Sequence, residues 1–458
     1  MLSEENNKIL NLKDIAVLTF NANFGIRWLA VAAAIGASSI LFWLLGTVFL
    51  AVPLAFACAK LSRAYPEEGG IYAWTRRTLG ERHGFVVAWL YFINNVFYYP
   101  AVLIFLAANF AYFIGKPTLA NNNTFVCCVV LSFFWMIIFV SIFGLKINKL
   151  LTEFGGLIGS IIPALLIISL GFFLFISTHH SATAFNLSTL LPSDAITKSL
   201  SNLTMIMFAI TGIEIIPTFA NKVENPKRNL YAGLLIGTAV LVIFYIVGTI
   251  ALNIILSPQE IQKTSGLMFA FHLAFSKFHL DWLTRIIAFM LVFAEVGVIS
   301  MWLIAPITMF FKCTPVGLLP AWFQKTNSKQ APLNAIFFVG LIVTVILLTT
   351  NLLPAVNDMY QILVLMSALL AFIPYVYMMF AYLKESKKWD GTKILHQFIF
   401  WSVIVSLLLG IAFSFELPGD LKTIHEKVFY ETELMAGPLI FIIVGYWIYS
   451  VRQKHCVK

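Results

Sequence analysis

The chain has 458 residues, of which 60% are hydrophobic and 11% charged, less than half the roughly 25% charged share of aqueous globular proteins. Apolar runs of about 20 residues, the length that crosses the hydrocarbon core, recur from end to end and leave no room for a separate aqueous domain. The formal charge of +9 lies mainly in short loops, where Lys and Arg set topology, so a nucleic-acid role is excluded.

About twelve membrane-spanning helices are predicted, at 15–37, 39–60, 84–114, 125–145, 154–177, 200–220, 230–256, 282–311, 333–353, 359–383, 394–415 and 434–451. The polar residues 1–14 and the length of the first run argue against a cleaved signal, so that run is expected to remain as a span. With the amino terminus inside, the cytoplasmic segments hold about 22 of the 30 basic residues. Both termini are therefore expected in the cytoplasm of a cell whose cytoplasmic (inner) membrane holds the protein.

The first span is interrupted by Asn21, Asn23, Gly25 and Arg27. In the fifth span Gly155 and Gly159 lie four apart, on one face where another backbone can approach. His179 and His180 fall in an outer loop and read as solvated, with no third metal ligand at suitable spacing. The sixth span carries Thr211, Gly212, Glu214 and Pro217. A carboxylate at bilayer depth costs several kcal/mol and marks a substrate or ion path, which makes Glu214 the first functional candidate. Gly212 and Pro217 favour an open helical ladder there, and interrupted spans in corresponding positions of two halves point to a transporter binding site.

Glu295, in the eighth span, is a candidate proton carrier because desolvation disfavours a bare carboxylate. Arg27 either receives a substrate carboxylate or neutralises Glu214 or Glu295. These three are the ionisable Lys, Arg, Asp or Glu side chains placed deep in the spans. One positive and two negative charges, with one carboxylate protonated, would leave a pocket close to neutral. A zwitterion without a charged side chain would then be preferred over arginine or lysine by tenfold or more, about 1.4 kcal/mol. Four of the five cysteines lie in or beside spans and read as small buried hydrophobes.

Two cytoplasmic segments are more specific than hydropathy. Residues 63–74 read RAYPEEGGIYAW, and residues 223–229 read VENPKRN. Both resemble hallmarks of the amino acid/polyamine/organocation (APC) superfamily, as does LLPAWFQKTNSKQAP at 318–332. Within it the chain looks most like the bacterial glutamate/GABA antiporter group. The resemblance implies an all-α membrane protein with a LeuT-like five-plus-five inverted repeat and discontinuous helices 1 and 6. A first repeat would cover 15–177 and a second 200–383, with two appended helices over 394–451, in one transmembrane domain over 1–458.

The resemblance also implies that the substrate carboxylate meets backbone amides at Ala22, Asn23, Phe24 and Gly25, and its ammonium the carbonyls at Thr211, Gly212, Ile213 and Glu214. Many relatives carry Gly-Ser-Gly where this chain has Ala22, Asn23 and Phe24, so the carboxylate cradle is expected to be built differently or to lie nearer Gly25. Trp302 and Tyr375 align as walls. Glu67 and Glu68 fit a role in ordering the cytoplasmic gate. The long plugging tail that this group uses for acid gating is not expected, since the last span ends near Lys458.

The expected function is secondary active amino acid transport by alternating access, as an antiporter or a proton-coupled permease. A glutamate/GABA-type exchanger, a channel and a non-transporting amino acid sensor are the alternatives. Expected partners are a small-molecule amino acid or amine, the bilayer and protons. No cofactor or metal is expected, and no enzymatic motif is present: a phosphate loop, a zinc-binding His pair and a nucleophile elbow are all missing.

Overall fold

The computed structural model describes residues 10–65, 69–142, 154–191, 200–314, 318–325, 327, 332–350, 355–389, 391–416 and 424–456. Hydrocarbon offers no partner to a free amide or carbonyl, so a crossing segment must close its hydrogen bonds within itself. The apolar runs do so as helices. A parallel bridge pairs Leu10 with Val223.

The first span is a broken pair, α1 (Leu12–Asn23) and α2 (Arg27–Ala33), bent by 62°. There follow α3 (Ser39–Ala64), the short α4 (Gly70–Leu79), α5 (Glu81–Phe113), α6 (Asn123–Ser141), α7 (Ile162–Thr178) and α8 (Leu200–Ala209). The remaining helices are α9 (Pro226–Ile255), α10 (Gly266–Ser276), α11 (Asp281–Cys313), α12 (Leu333–Thr350), α13 (Val356–Ser386), α14 (Lys393–Ser414) and α15 (Ile424–Cys456).

Among the described residues ten helices are long and apolar enough to cross a membrane, or eleven with the bent pair taken as one span. The ninth predicted run is α12, an apolar helix of 18 residues. The apolar helix α10, 11 residues long, lies between the seventh and eighth predicted spans; it is too short to cross and instead buries Leu267, Met268, Phe271 and Phe275.

Burial separates interior from periphery. The windows of α5, α13 and the Leu200–Pro217 span are 78%, 83% and 83% buried, against 22% for the Tyr430–Arg452 part of α15. The first three form the centre, and α15 presents most of its surface to lipid. Close approaches are made at small residues. A Cβ on Gly159 would lie 2.4 Å from Cβ of Ala294, so the predicted glycine face packs directly on α11. Gly233 and Gly237 do the same for α1 on α9, meeting Ile15 and Thr19.

The two loop motifs are turn chemistry. Gly69 and Gly70 adopt φ of +116° and +48°, which a side chain would resist, and start α4, where Trp74 donates to the Tyr65 carbonyl at 3.3 Å. Pro66, Glu67 and Glu68 lie outside the described residues. In the second motif Asn225 sits in the left-handed region at φ +43°, its carbonyl accepts from Arg228 and Asn229, and Pro226 opens α9 at a position that needs no amide donor. Glu224 donates its amide to the Leu10 carbonyl at 2.9 Å, tying the start of span one to the end of span six on one side of the bundle.

Candidate functional site

Both breaks fall where the sequence loses its apolar regularity, and each is closed by a tyrosine hydroxyl from another helix. α1 is capped at its start by the Asn11–Asp14 reciprocal pair and ends as Phe24 turns extended, with ψ of 109°. The Gly25 amide then donates to the Tyr245 hydroxyl of α9 at 3.1 Å, and that hydroxyl donates to the Asn23 carbonyl at 2.9 Å. One hydroxyl thereby satisfies a donor and an acceptor freed by the break.

Span six opens at Ile210–Gly212, between α8 and a 3₁₀ segment, Ile213–Lys222, that contains Pro217. Gly212 has φ of +99°, and a Cβ there would sit 2.4 Å from the Asn23 Oδ1, so the two breaks touch at this residue. The Gly212 amide donates to the Tyr375 hydroxyl at 2.8 Å, and Tyr375 donates in turn to Glu214 Oε2 at 2.5 Å. Tyr91 donates to the other carboxylate oxygen at 2.9 Å. Glu214 is 2% exposed.

A cavity of about 50 Å³ lies where the breaks face α5, α11 and α13. Of the residues expected at the site, Ala22 and Asn23 line it from span one, Thr211, Gly212 and Glu214 from span six, and Trp302 and Tyr375 from the helices beyond. Phe24, Gly25, Ile213 and Arg27 do not. Phe24 turns the other way into a ring cluster with Phe20 at 4.9 Å and Tyr245 at 5.5 Å, Gly25 faces Tyr245, and Ile213 is fully buried in the apolar core.

Arg27 pairs with Glu295, Nη1 to Oε2 at 3.4 Å, with both side chains at most 2% exposed. Its other nitrogen donates to the Tyr98 hydroxyl, and the guanidinium lies over Trp28 and Tyr98 at 4.7 and 5.1 Å from their ring centroids. Trp28 and Tyr98 line the cavity, so the cation sits behind its wall. The expected balance of three charges in one pocket is thereby corrected: two of them neutralise each other, and among the described lining residues Glu214 alone is ionisable as an acid or cation of the Asp, Glu, Lys or Arg type.

Sequence reasoning missed the third span's share. Tyr91, Asn94, Asn95 and Tyr98 all line the cavity and are spaced i, i+3, i+4, i+7, a polar stripe along one face of the middle of α5. Asn23 and Asn95 donate their amide groups back along their own helices, to Thr19 and Tyr91 carbonyls at 2.7 and 2.8 Å. The Asn23 and Asn94 Oδ1 atoms are buried without a partner. Unmet acceptors cost free energy unless something donates to them, so the cavity is set up for a donor-rich guest; an ammonium offers three N–H donors and no acceptor. At about 50 Å³ the cavity has room for a few waters.

Residues 10–449 match the family described as amino acid permease. An uncharacterized transporter of Legionella pneumophila is 28% identical, with 98% of this chain and 97% of the relative covered. A glutamate/gamma-aminobutyrate antiporter of Lactococcus lactis subsp. lactis is 23% identical over 91% of this chain and 85% of its own. A probable agmatine/putrescine antiporter of the same organism is 24% identical over 91% and 89%. From the two broken spans around an acidic cavity and a family match over nearly its whole length, this chain belongs to the amino acid permease family of the APC superfamily, whose members are multi-pass membrane transporters.

Proposed function

We propose that the protein moves a small amine or amino acid across the cytoplasmic membrane by alternating access, as an antiporter or proton-coupled permease, with both termini inside. In this reading spans one to five and six to ten form the two inverted repeats, and spans eleven and twelve are appended. The substrate's ammonium sits between Glu214 and the amide oxygens of Asn23 and Asn94, with Thr211 and Gly212 forming the backbone edge of the site. Trp302 and Tyr375 wall it, and the Arg27–Glu295 pair fixes the wall from behind.

The observation that carries this reading is a carboxylate held by two tyrosine hydroxyls, with no Lys or Arg among the described lining residues and with two unmet amide acceptors beside it, in a cavity between two helix breaks. It also favours guests with net positive charge. A diamine or agmatine-like cation neutralises Glu214, whereas a zwitterion brings a carboxylate into a cavity lined by no cationic side chain. The relatives named for agmatine and putrescine exchange and for glutamate/gamma-aminobutyrate exchange frame these two possibilities.

A zwitterionic cargo remains the second reading, supported by Tyr245, whose hydroxyl now occupies the Gly25 amide and would have to release it to a substrate carboxylate. The test is a competition screen of the purified protein in proteoliposomes against common amino acids and their decarboxylated amines. Best competition by amines supports the first reading, and best competition by neutral amino acids the second. No competition by either class overturns the assignment of the cavity.

A further inference from the structure

A second cavity, about 880 Å³, lies on the outside of the bundle between α3, α8 and α14. Phe49, Met207, Phe398, Trp401 and Leu409 give it an apolar wall, and most of these residues are exposed toward hydrocarbon. The groove runs along α14 from Lys393 to Phe413, about 30 Å at 1.5 Å per residue, which matches the hydrocarbon thickness. Lys393 is the single charged residue among those lining it, and it lies at one end, at the first residue of α14, where a span of this length places headgroups.

The shape follows from a local defect in α3. Residues Thr47–Ala51 form a π turn, and Pro53, four residues on from Phe49, has no N–H to give the Phe49 carbonyl, which accepts from Ser402 of α14 at 2.6 Å instead. Gly46, on the groove floor, has no side chain, and Ile210 reaches to 2.9 Å from where its Cβ would be. Ile210 opens the span-six break, and Thr211 and Gly212 behind it line the central cavity. The groove therefore backs directly onto the broken segment.

We propose that this groove seats one anionic phospholipid, with its phosphate on Lys393 and its acyl chains against α8, bracing the span-six break from the lipid side. The apolar length calls for acyl chains, because the groove opens to hydrocarbon. The lone cation at headgroup depth calls for a phosphate, for which a lysine ammonium is a compact partner. A zwitterionic headgroup carries its own ammonium, which Lys393 repels, so a net negative headgroup is selected. The inference does not depend on which substrate is carried.

Two measurements on the purified full chain test it without any transported substrate. Native mass spectrometry with equal phosphatidylglycerol and phosphatidylcholine should show at least fivefold preferential retention of phosphatidylglycerol. Lys393→Gln should bring this to parity, while Arg228→Gln, an exposed cation at the start of α9, leaves it intact. Phosphatidylglycerol should raise the melting temperature of wild type by several degrees and that of Lys393→Gln by much less. Val405→Trp, which fills the groove, should abolish both effects. Undiminished preference in Lys393→Gln, no preference in wild type, or a dimer that Val405→Trp dissociates would each overturn the proposal, the last by placing a second copy on this face.

Discussion

Tyr375 donates to Glu214 at 2.5 Å while accepting the Gly212 amide at 2.8 Å, so a single hydroxyl holds both the break in span six and the carboxylate beside it. Tyr245 stands in the same relation to the first break, between the Gly25 amide and the Asn23 carbonyl. Tyr375→Phe keeps the ring and removes the relay, leaving a buried amide and one carboxylate oxygen short of a partner, each at about 1–3 kcal/mol. Transport should fall at least tenfold with membrane insertion unchanged. Counterflow rates normalised to inserted protein check this, and a rate within twofold of wild type would show that the relay is dispensable.

Gly212→Leu should abolish uptake, and even Gly212→Ala should impair it. The residue sits at φ +99°, and a Cβ would press within 2.4 Å of Asn23 Oδ1. Gly156→Ala is the matched control, since nothing lies within 4 Å of its Cβ position. Gly248 of α9 does not serve as a control, because Leu29 approaches its Cβ position to 2.8 Å and substitution there disturbs the contact of α9 with α2. Equal uptake in the Gly212 and Gly156 variants would remove the argument for a localised site.

Removing one partner of a buried ion pair leaves an uncompensated charge, typically 3–5 kcal/mol. Arg27→Met should therefore destabilise strongly, and Arg27→Met with Glu295→Gln should recover most of the loss, read as melting temperature in detergent. Glu295→Gln alone strands the Arg27 cation and should lower the melting temperature too, while the protein that still folds should exchange substrate but lose the pH dependence of net uptake if Glu295 carries the coupled proton. An unchanged pH profile would leave Glu295 as Arg27's structural counter-charge alone.

Spans, break positions and Glu214 were legible because each rests on a local signal: apolar length, Gly and Pro inside a helix, and a carboxylate at bilayer depth. Partnerships were not. Whether Arg27 answered Glu214 or Glu295 depends on how α2 is rotated after the 62° bend, which hydropathy does not encode. Phe24 faces away from the cavity for the same reason. The stripe of Tyr91, Asn94, Asn95 and Tyr98 was readable by helical period, yet it lies in a run judged by mean hydropathy, where four polar side chains are diluted. The helix α10 escaped because its 11 residues fall below the length that identifies a span.

The charge argument makes a sharp forecast about cargo. With Arg27 committed to Glu295, a monovalent or divalent amine should compete better than an amino acid without a cationic side chain by about tenfold, roughly 1.4 kcal/mol. Competition of putrescine and agmatine against alanine and glutamate for a common labelled substrate reads this directly. Better competition by the zwitterions would mean that backbone amides near Gly25 supply the missing positive potential.

The central claim is that Glu214 receives the substrate's amino group. Counterflow in proteoliposomes with Glu214→Gln tests it most directly, since the amide keeps the shape and can still accept from Tyr91 or Tyr375 while losing the charge. The account predicts normal insertion, a loss of at least tenfold in exchange and a collapse of any preference for amines. Wild-type rates with an unchanged ranking of substrates would contradict it.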